Sequence, residues 1–256
     1  MTPEIATLLL EEANRINRPA FVKDDPVQFP RRFDDQRDIE IASLLVSVIS
    51  WGRRPMILRD AERMLSLMDS QPYRYMMEGG YEDLDPGLNI HRTFFARDMQ
   101  WYLRGLREIY SRYPSLDAFA AAKRVGDEKA PAWKLAEEVR SIVEGVNGGT
   151  TCSQCLPTNL ASTALKRLNM ALRWLVRNDG IVDIGVWQSI KPAQLYIPLD
   201  VHVGNTARGL GLLDRSANDR RSCDIVTSEM RKICPEDPAL LDFALFGIGI
   251  EGKQVK

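Results

Sequence analysis

Residues 166–177 read Lys166-Arg-Leu-Asn-Met-Ala-Leu-Arg-Trp-Leu-Val-Arg177. Leu165, Leu168, Leu172, Leu175 and Val176 recur at three- and four-residue intervals, the spacing that gathers side chains on one face of an α-helix. Lys166, Asn169, Arg173 and Arg177 fall on the other side, at i, i+3, i+7 and i+11. The helix is expected over Asn159–Arg177, stopped by Asn178-Asp-Gly180.

The same period runs outward in both directions. Thr2-Pro3 opens a helix through Ile16, and Asp38–Ile49 is apolar enough to be buried. Pro55 opens another through Met68, and Ala96–Tyr113 carries Met99, Leu103, Leu106 and Tyr110 on one face. Ser115 caps a short helix, and Trp133–Val146 is ended by Asn147-Gly-Gly149. Asp200 caps a helix to about Leu210, with Asp219–Ile233 and Pro238–Phe246 after it. Tyr81–Ile90 and the Pro-rich Asn17–Arg32 read as loops, the second as the best linker candidate. With ten to twelve helices and no convincing strand pair, the expected class is all-α. Only Ile181–Ile184 and Leu195–Leu199 offer short apolar runs that would suit strands.

Apolar residues at 45% and charged residues at 27% fit a globule rather than a disordered or membrane chain. No apolar run nears the roughly 20 residues that span a bilayer. Acids stand at the N-terminus where a signal peptide is basic, so a cytoplasmic location is expected. A net charge of −1 counts against nucleic-acid binding. The distribution is less even: Gly145–Asn178 holds no acid but four cations, Lys166, Arg167, Arg173 and Arg177. Val201–Leu213 adds Arg208, again without acids, so a cationic patch is compatible with the sequence. Of four cysteines, Cys152 and Cys155 form a C-x-x-C, a pattern open to zinc, to redox chemistry or to plain free thiols. Zinc needs two further ligands, and Cys223 and Cys234 lack a ligand-pair spacing, so no metal and no other cofactor is expected. Two histidines, His91 and His202, far apart in sequence, do not supply the clustered ligands of a metal-dependent phosphohydrolase.

Three segments carry chemistry. The polar line Lys166, Asn169, Arg173, Arg177 is either a solvated face or a site in which cations crowd Lys166 and favour its free amine. Asp200, between Ile197-Pro-Leu199 and a helix, is an N-cap; a capping carboxylate is also rigid and ionised, fit to stabilise a cation. Asp242 and Phe246, at i and i+4, share a helix face: one outward carboxylate on a core helix, or a pocket wall that stacks on a planar ring and reads its edge.

The segment Pro198-Leu-Asp-Val-His-Val-Gly-Asn-Thr-Ala-Arg-Gly-Leu-Gly-Leu212 resembles the one carrying the catalytic aspartate of the helix-hairpin-helix DNA glycosylase superfamily, which matches Asp200. Asp242-Phe-Ala-Leu-Phe246-Gly resembles the base-pocket helix of 8-oxoguanine glycosylases. The 34 residues from Lys166 to Asp200 resemble the separation between Schiff-base lysine and aspartate in the archaeal branch of those enzymes. Along nearly its whole length, in segments such as Ser50-Trp-Gly-Arg-Arg54 and Lys166-Arg-Leu-Asn-Met170, the chain also resembles the bacterial DUF2400 family.

The glycosylase resemblance implies two helical lobes, residues 1–34 plus 186–256 and residues 35–185, around a cleft holding Lys166, Asp200 and Asp242. It implies damaged DNA as partner, no membrane, and a monomer. A base is flipped into the cleft, Lys166 attacks C1′, and Asp200 stabilises the sugar cation. Phe246 stacks on the base and Asp242 reads it, with Asn169 beside them, while Arg173 depresses the Lys166 pKa or holds phosphate. Arg177, His202, Arg208 and Arg53 are the candidate DNA contacts, Arg53 in the loop after the Asp38–Ile49 helix beside Trp51 and Arg54. Two features depart from the superfamily. Its phosphate-binding hairpin is absent, the nearest stretch being Asp179–Gly185. The four-cysteine C-terminal loop of some relatives is also missing, the chain stopping near Gly252, which implies no iron–sulfur cluster.

Overall fold

The computed structural model describes residues 1–251; residues 252–256 lie outside the described residues. Twelve α-helices form among the described residues: α1 (Pro3–Ile16), α2 (Pro19–Val22), α3 (Gln36–Ile49), α4 (Arg54–Ser66), α5 (Pro72–Glu78), α6 (Ala96–Tyr110), α7 (Leu116–Ala122), α8 (Pro131–Val146), α9 (Lys166–Val176), α10 (Val201–Gly209), α11 (Arg220–Ile233) and α12 (Asp242–Glu251). The fold is all-α, interrupted by one small antiparallel hairpin, β1 (Asn89–His91) and β2 (Phe94–Phe95). That hairpin lies partly in the expected Tyr81–Ile90 loop, whereas Ile181–Ile184 and Leu195–Leu199 form no strand.

Helix starts obey the local chemistry. Thr2, Asp35, Ser115, Asp200 and Asp219 each accept a backbone N–H from the first turn of the helix they precede, which satisfies one of its orphan donors. The expected helix over Asn159–Arg177 is shorter, beginning only at Lys166. Asn159 Oδ1 takes the N–H groups of Ala161 and Ser162 at 3.1 and 3.3 Å, a side-chain turn that competes with helix. Leu165, with φ 47°, then reverses the chain in left-handed backbone before α9 starts. This conformation is costly for a branched side chain and is held because Leu165 is buried.

α3 is the central rod, buried without a break from Ile39 to Ile49. Its buried Glu40 accepts from Tyr110 Oη, from the N–H groups of Leu116 and Asp117, and from Gln36, so the carboxylate lacks no partner although burial pushes its pKa up. α9 packs on α3, and α6 on α8; α1 packs on α12, and α12 on α10. The Pro-rich stretch Asn17–Arg32 is not a linker. It winds through α2 and two 3-10 turns, buries Pro26, Val27, Phe29 and Pro30, and is pinned by Arg31 Nη1 on the Val182 carbonyl at 2.8 Å. Among the described residues no helix is long and apolar enough to cross a membrane.

The Lys166–Arg177 segment corrects the reading of a solvated face. Leu165, Leu172, Leu175 and Val176 are buried, but so are Asn169, Arg173 and Arg177, leaving α9 enclosed on both sides. Acids supplied from elsewhere in sequence make this tolerable. Arg173 pairs with Asp183 at 3.2 Å and with Asp242 at 2.5 Å, and Arg177 pairs with Asp179, Asp183 and Asp237. Two of the four cations in the acid-free stretch are thus internal and neutralised, and they make no surface patch.

Candidate active site

The cleft in the α3–α9–α10 region forms where three chain reversals meet. α3 ends at Ile49 and delivers Ser50 and Trp51; α9 begins with Lys166; Leu199 and Asp200 lead into α10. Ser50, Trp51, Leu165, Lys166, Leu199 and Asn218 are among the residues lining a cavity of about 340 Å³, within the roughly 300–1,000 Å³ range of small-molecule sites.

Lys166 Nζ donates to the Ser50 carbonyl at 3.1 Å and stands 3.8 Å from Asp200 Oδ2. Both side chains keep some exposure, 28% and 24%, so the pair is enclosed but reachable. Burial pushes the Lys166 pKa down, Asp200 and Asp242 pull it back up, and Arg167 adds to the lowering; the balance is below the ordinary lysine value. As the first residue of α9, Lys166 also sits at the positive end of the helix dipole, where an ammonium is disfavoured. Asp200 Oδ1 accepts Val203 N–H at 2.9 Å, which leaves Oδ2 to face the amine. The cap and the charged role therefore use different oxygens of one carboxylate.

The remaining positions expected to act are arranged differently. Asp242 does not line this cavity; it is buried against Arg173, and burial, with Asp200 and Asp183 nearby, raises its pKa to about 6 despite that arginine. Its Oδ1 has no hydrogen-bond partner. Phe246 is likewise outside the cavity lining, with Phe21 edge-on and the Arg54 guanidinium 5.1 Å above its ring. Arg173 is committed to Asp183 and Asp242, so it is a buried counter-ion rather than a phosphate ligand. The lowering of Lys166 has burial as its main cause, not Arg173. Asn169 Nδ2 donates to the Ala164 carbonyl at 2.9 Å, bracing the turn before Lys166.

Among the expected DNA contacts, Arg177 is 2% exposed and locked in ion pairs, which removes it from any surface. Arg208 donates to the Arg215 and Ser216 carbonyls and to Asn218 Oδ1, so it holds the loop that presents Asn218 to the cavity. Arg53 and His202 are exposed. Cys152 and Cys155 face each other with sulfurs 2.9 Å apart, and no group of three His, Cys, Asp or Glu side chains among the described residues gathers to hold a metal.

A family model for proteins of unknown function, DUF2400, matches residues 25–251. The chain belongs to the DUF2400 family. No curated protein and no solved structure matches it. In this DUF2400 chain several site residues carry no signal in sequence. Ser50 acts through its carbonyl, which every residue has. His91 is buried, with Nδ1 2.7 Å from Asp60 Oδ2 and Nε2 2.9 Å from the Trp51 carbonyl. Both ring nitrogens lie within hydrogen-bond distance of oxygens, so His91 ties Asp60 to the Ser50–Gly52 wall. Gly52, with φ 103°, completes that wall; a Cβ there would meet Arg92 Nη1 at 2.9 Å. Asp25, in the packed Pro-rich stretch, is a buried carboxyl whose pKa burial raises.

Proposed function

We propose that the protein is a DNA base-excision enzyme, a glycosylase with abasic-site lyase activity, and that 8-oxoguanine is the first lesion to test. The observation that carries this reading is a half-buried amine of lowered pKa, Lys166, which lines a cavity of about 340 Å³ and stands 3.8 Å from the helix-capping carboxylate of Asp200. A free amine is the nucleophile such chemistry needs, and it is unavailable to a lysine at its ordinary pKa. In this mechanism the Lys166 nitrogen bonds to C1′ of the sugar while the glycosidic bond breaks. The base leaves with the electron pair and takes up a proton. Asp200 stabilises the positive charge on the sugar. Ring opening gives an imine; loss of a C2′ proton then expels the 3′ phosphate.

The packing of α1 on α12 and of α12 on α10, with α3 on α9 and α6 on α8, supports the reading of two lobes, residues 1–34 plus 186–256 and residues 35–185, while the 3-10 turns Pro26–Gln28 and Pro30–Arg32 pack across onto α3. The enzyme is read as a cytoplasmic monomer acting on damaged duplex or single-stranded DNA. The test is borohydride trapping on oligonucleotides bearing 8-oxoguanine, uracil, alkylated bases, oxidised pyrimidines or an abasic site. A covalent adduct that maps to Lys166 and is lost in Lys166→Ala is expected. Absence of an adduct on every substrate would instead favour a DNA-binding protein without catalysis.

A further inference from the structure

Cys152 and Cys155 stand on one helical turn, with the N–H groups of Cys155 and Leu156 both donating to the Cys152 carbonyl, at 3.0 and 2.8 Å. The 2.9 Å between their sulfurs exceeds the roughly 2.05 Å of a disulfide bond by less than about 1 Å. Cys152 is fully buried and Cys155 keeps some exposed surface, so Cys155 is the more accessible residue of the two. Cys223 is different: it is buried and its thiol donates to the Ile197 carbonyl.

The turn belongs to the wall of the Lys166 cleft. Cys155, Leu156 and Pro157 line the same cavity as Lys166. Arg167, the residue after Lys166, donates to the Gln154 carbonyl and to the Val48 carbonyl, each at 2.9 Å. A change of shape between Cys152 and Cys155 therefore reaches the first turn of α9 through one guanidinium, and the end of α3 through the same group.

We propose that Cys152 and Cys155 are a reversible dithiol–disulfide pair, oxidised by low-molecular-weight disulfides, whose state sets the geometry of the Lys166 cleft. The Cys155 thiolate attacks one sulfur of the small disulfide; that S–S bond breaks and one small thiolate leaves, taking up the proton Cys155 lost. Cys152 then loses its proton and attacks the Cys155 sulfur, expelling the second small thiolate, which is protonated in turn. Two protein thiols are oxidised and one small disulfide is reduced to two thiols. Burial and the neighbouring Cys152 push the Cys155 thiol well up, so exchange is slow at neutral pH and accelerates as pH rises.

The proposal does not rest on the base-excision reading. The full chain is equilibrated with graded ratios of oxidised to reduced glutathione, quenched, alkylated and mapped by mass spectrometry. The expected result is protection of Cys152 and Cys155 alone, as one intramolecular bridge. In Cys152→Ser a mixed disulfide with glutathione should accumulate on Cys155, and Cys155→Ala should form neither species. Four alkylated thiols at every ratio, or a bridge involving Cys223 or Cys234, overturns it. The second arm is the rate at which an amine-acylating reagent labels Lys166 in the folded protein. That rate should differ between the two redox states of the native chain and be insensitive to glutathione ratio in Cys155→Ala; an equal rate in both states overturns the link to the cleft.

Discussion

Lys166 Nζ and Asp200 Oδ2 stand 3.8 Å apart, although 34 residues separate them in sequence. That distance is beyond a hydrogen bond but well within strong charge interaction. The amine donates to the Ser50 carbonyl, and Asp200 Oδ2, the oxygen not used in capping α10, faces it across the gap.

Asp200→Asn separates the two uses of this side chain. Asparagine caps a helix as well as aspartate does, so the denaturation midpoint should hardly move. The rate of borohydride trapping should fall by about 10²- to 10³-fold, the scale for loss of one electrostatic stabiliser. Trapping at the native rate in Asp200→Asn would remove the carboxylate from the chemistry.

Trapping should also depend on pH through Lys166. Its pKa lies below the ordinary 10.5 because burial disfavours the ammonium. The trapping rate should rise with pH and level off at a midpoint below that of an exposed lysine. The check is a single-turnover pH profile of adduct formation on an abasic-site duplex. A midpoint at or above 10.5 would show that burial leaves this amine unperturbed.

Arg173→Met leaves Asp242 buried without its cation and Asp183 with Arg177 alone. Breaking a buried pair by removing one partner costs about 3–5 kcal/mol, and chemical denaturation should show a loss on that scale. Arg53→Ala, at an exposed helix start, should stay within about 0.5 kcal/mol of the native chain. If Arg53 meets a phosphate, the same variant should weaken DNA binding and flatten its salt dependence by about one unit of slope.

Asp242 should leave a mark on acid stability. Its folded pKa of about 6 lies above its ordinary 3.8, because burial penalises the charged form. The folded state thus holds this proton more tightly than the unfolded chain. The stabilisation is complete below pH 3.8 and is lost as pH rises through 6. Compared with Asp242→Asn, the native chain should lose stability between those two values, measured as the difference between two denaturation series. A constant difference across that window would place Asp242 at its ordinary pKa.

Much of the helical architecture is written locally. The apolar period of α3, α6 and α9, and the caps Thr2, Ser115, Asp200 and Asp219, depend on residues within a few positions of one another. The short hairpin at β1 and β2 and the packed Pro-rich stretch are hidden because each is held by distant partners, the first by Asp60 on His91 and the second by the Val182 carbonyl on Arg31. Lys166 and Asp200 are visible as residue types in a suggestive order. The Ser50 carbonyl and the His91–Asp60 brace behind it are not, since a backbone acceptor and a buried side-chain contact leave no pattern along the chain.

What the sequence determined by itself was the all-α class, most of the helical segments, and which residues of α9 are polar. What only the tertiary structure decided was the fate of those polar residues. One face of α9 carries Lys166, Asn169, Arg173 and Arg177 at helical intervals, and a regular period cannot say whether such a face meets water or protein. Asp179, Asp183, Asp237 and Asp242, brought in by later turns of the chain, bury Arg173 and Arg177 as neutralised counter-ions. Lys166, at the helix start, is left at a cleft with a carboxylate 3.8 Å away. The cost of enclosing a charge depends on partners that only the folded chain assembles, so the same spacing yields core at one end of the helix and a partly exposed amine at the other.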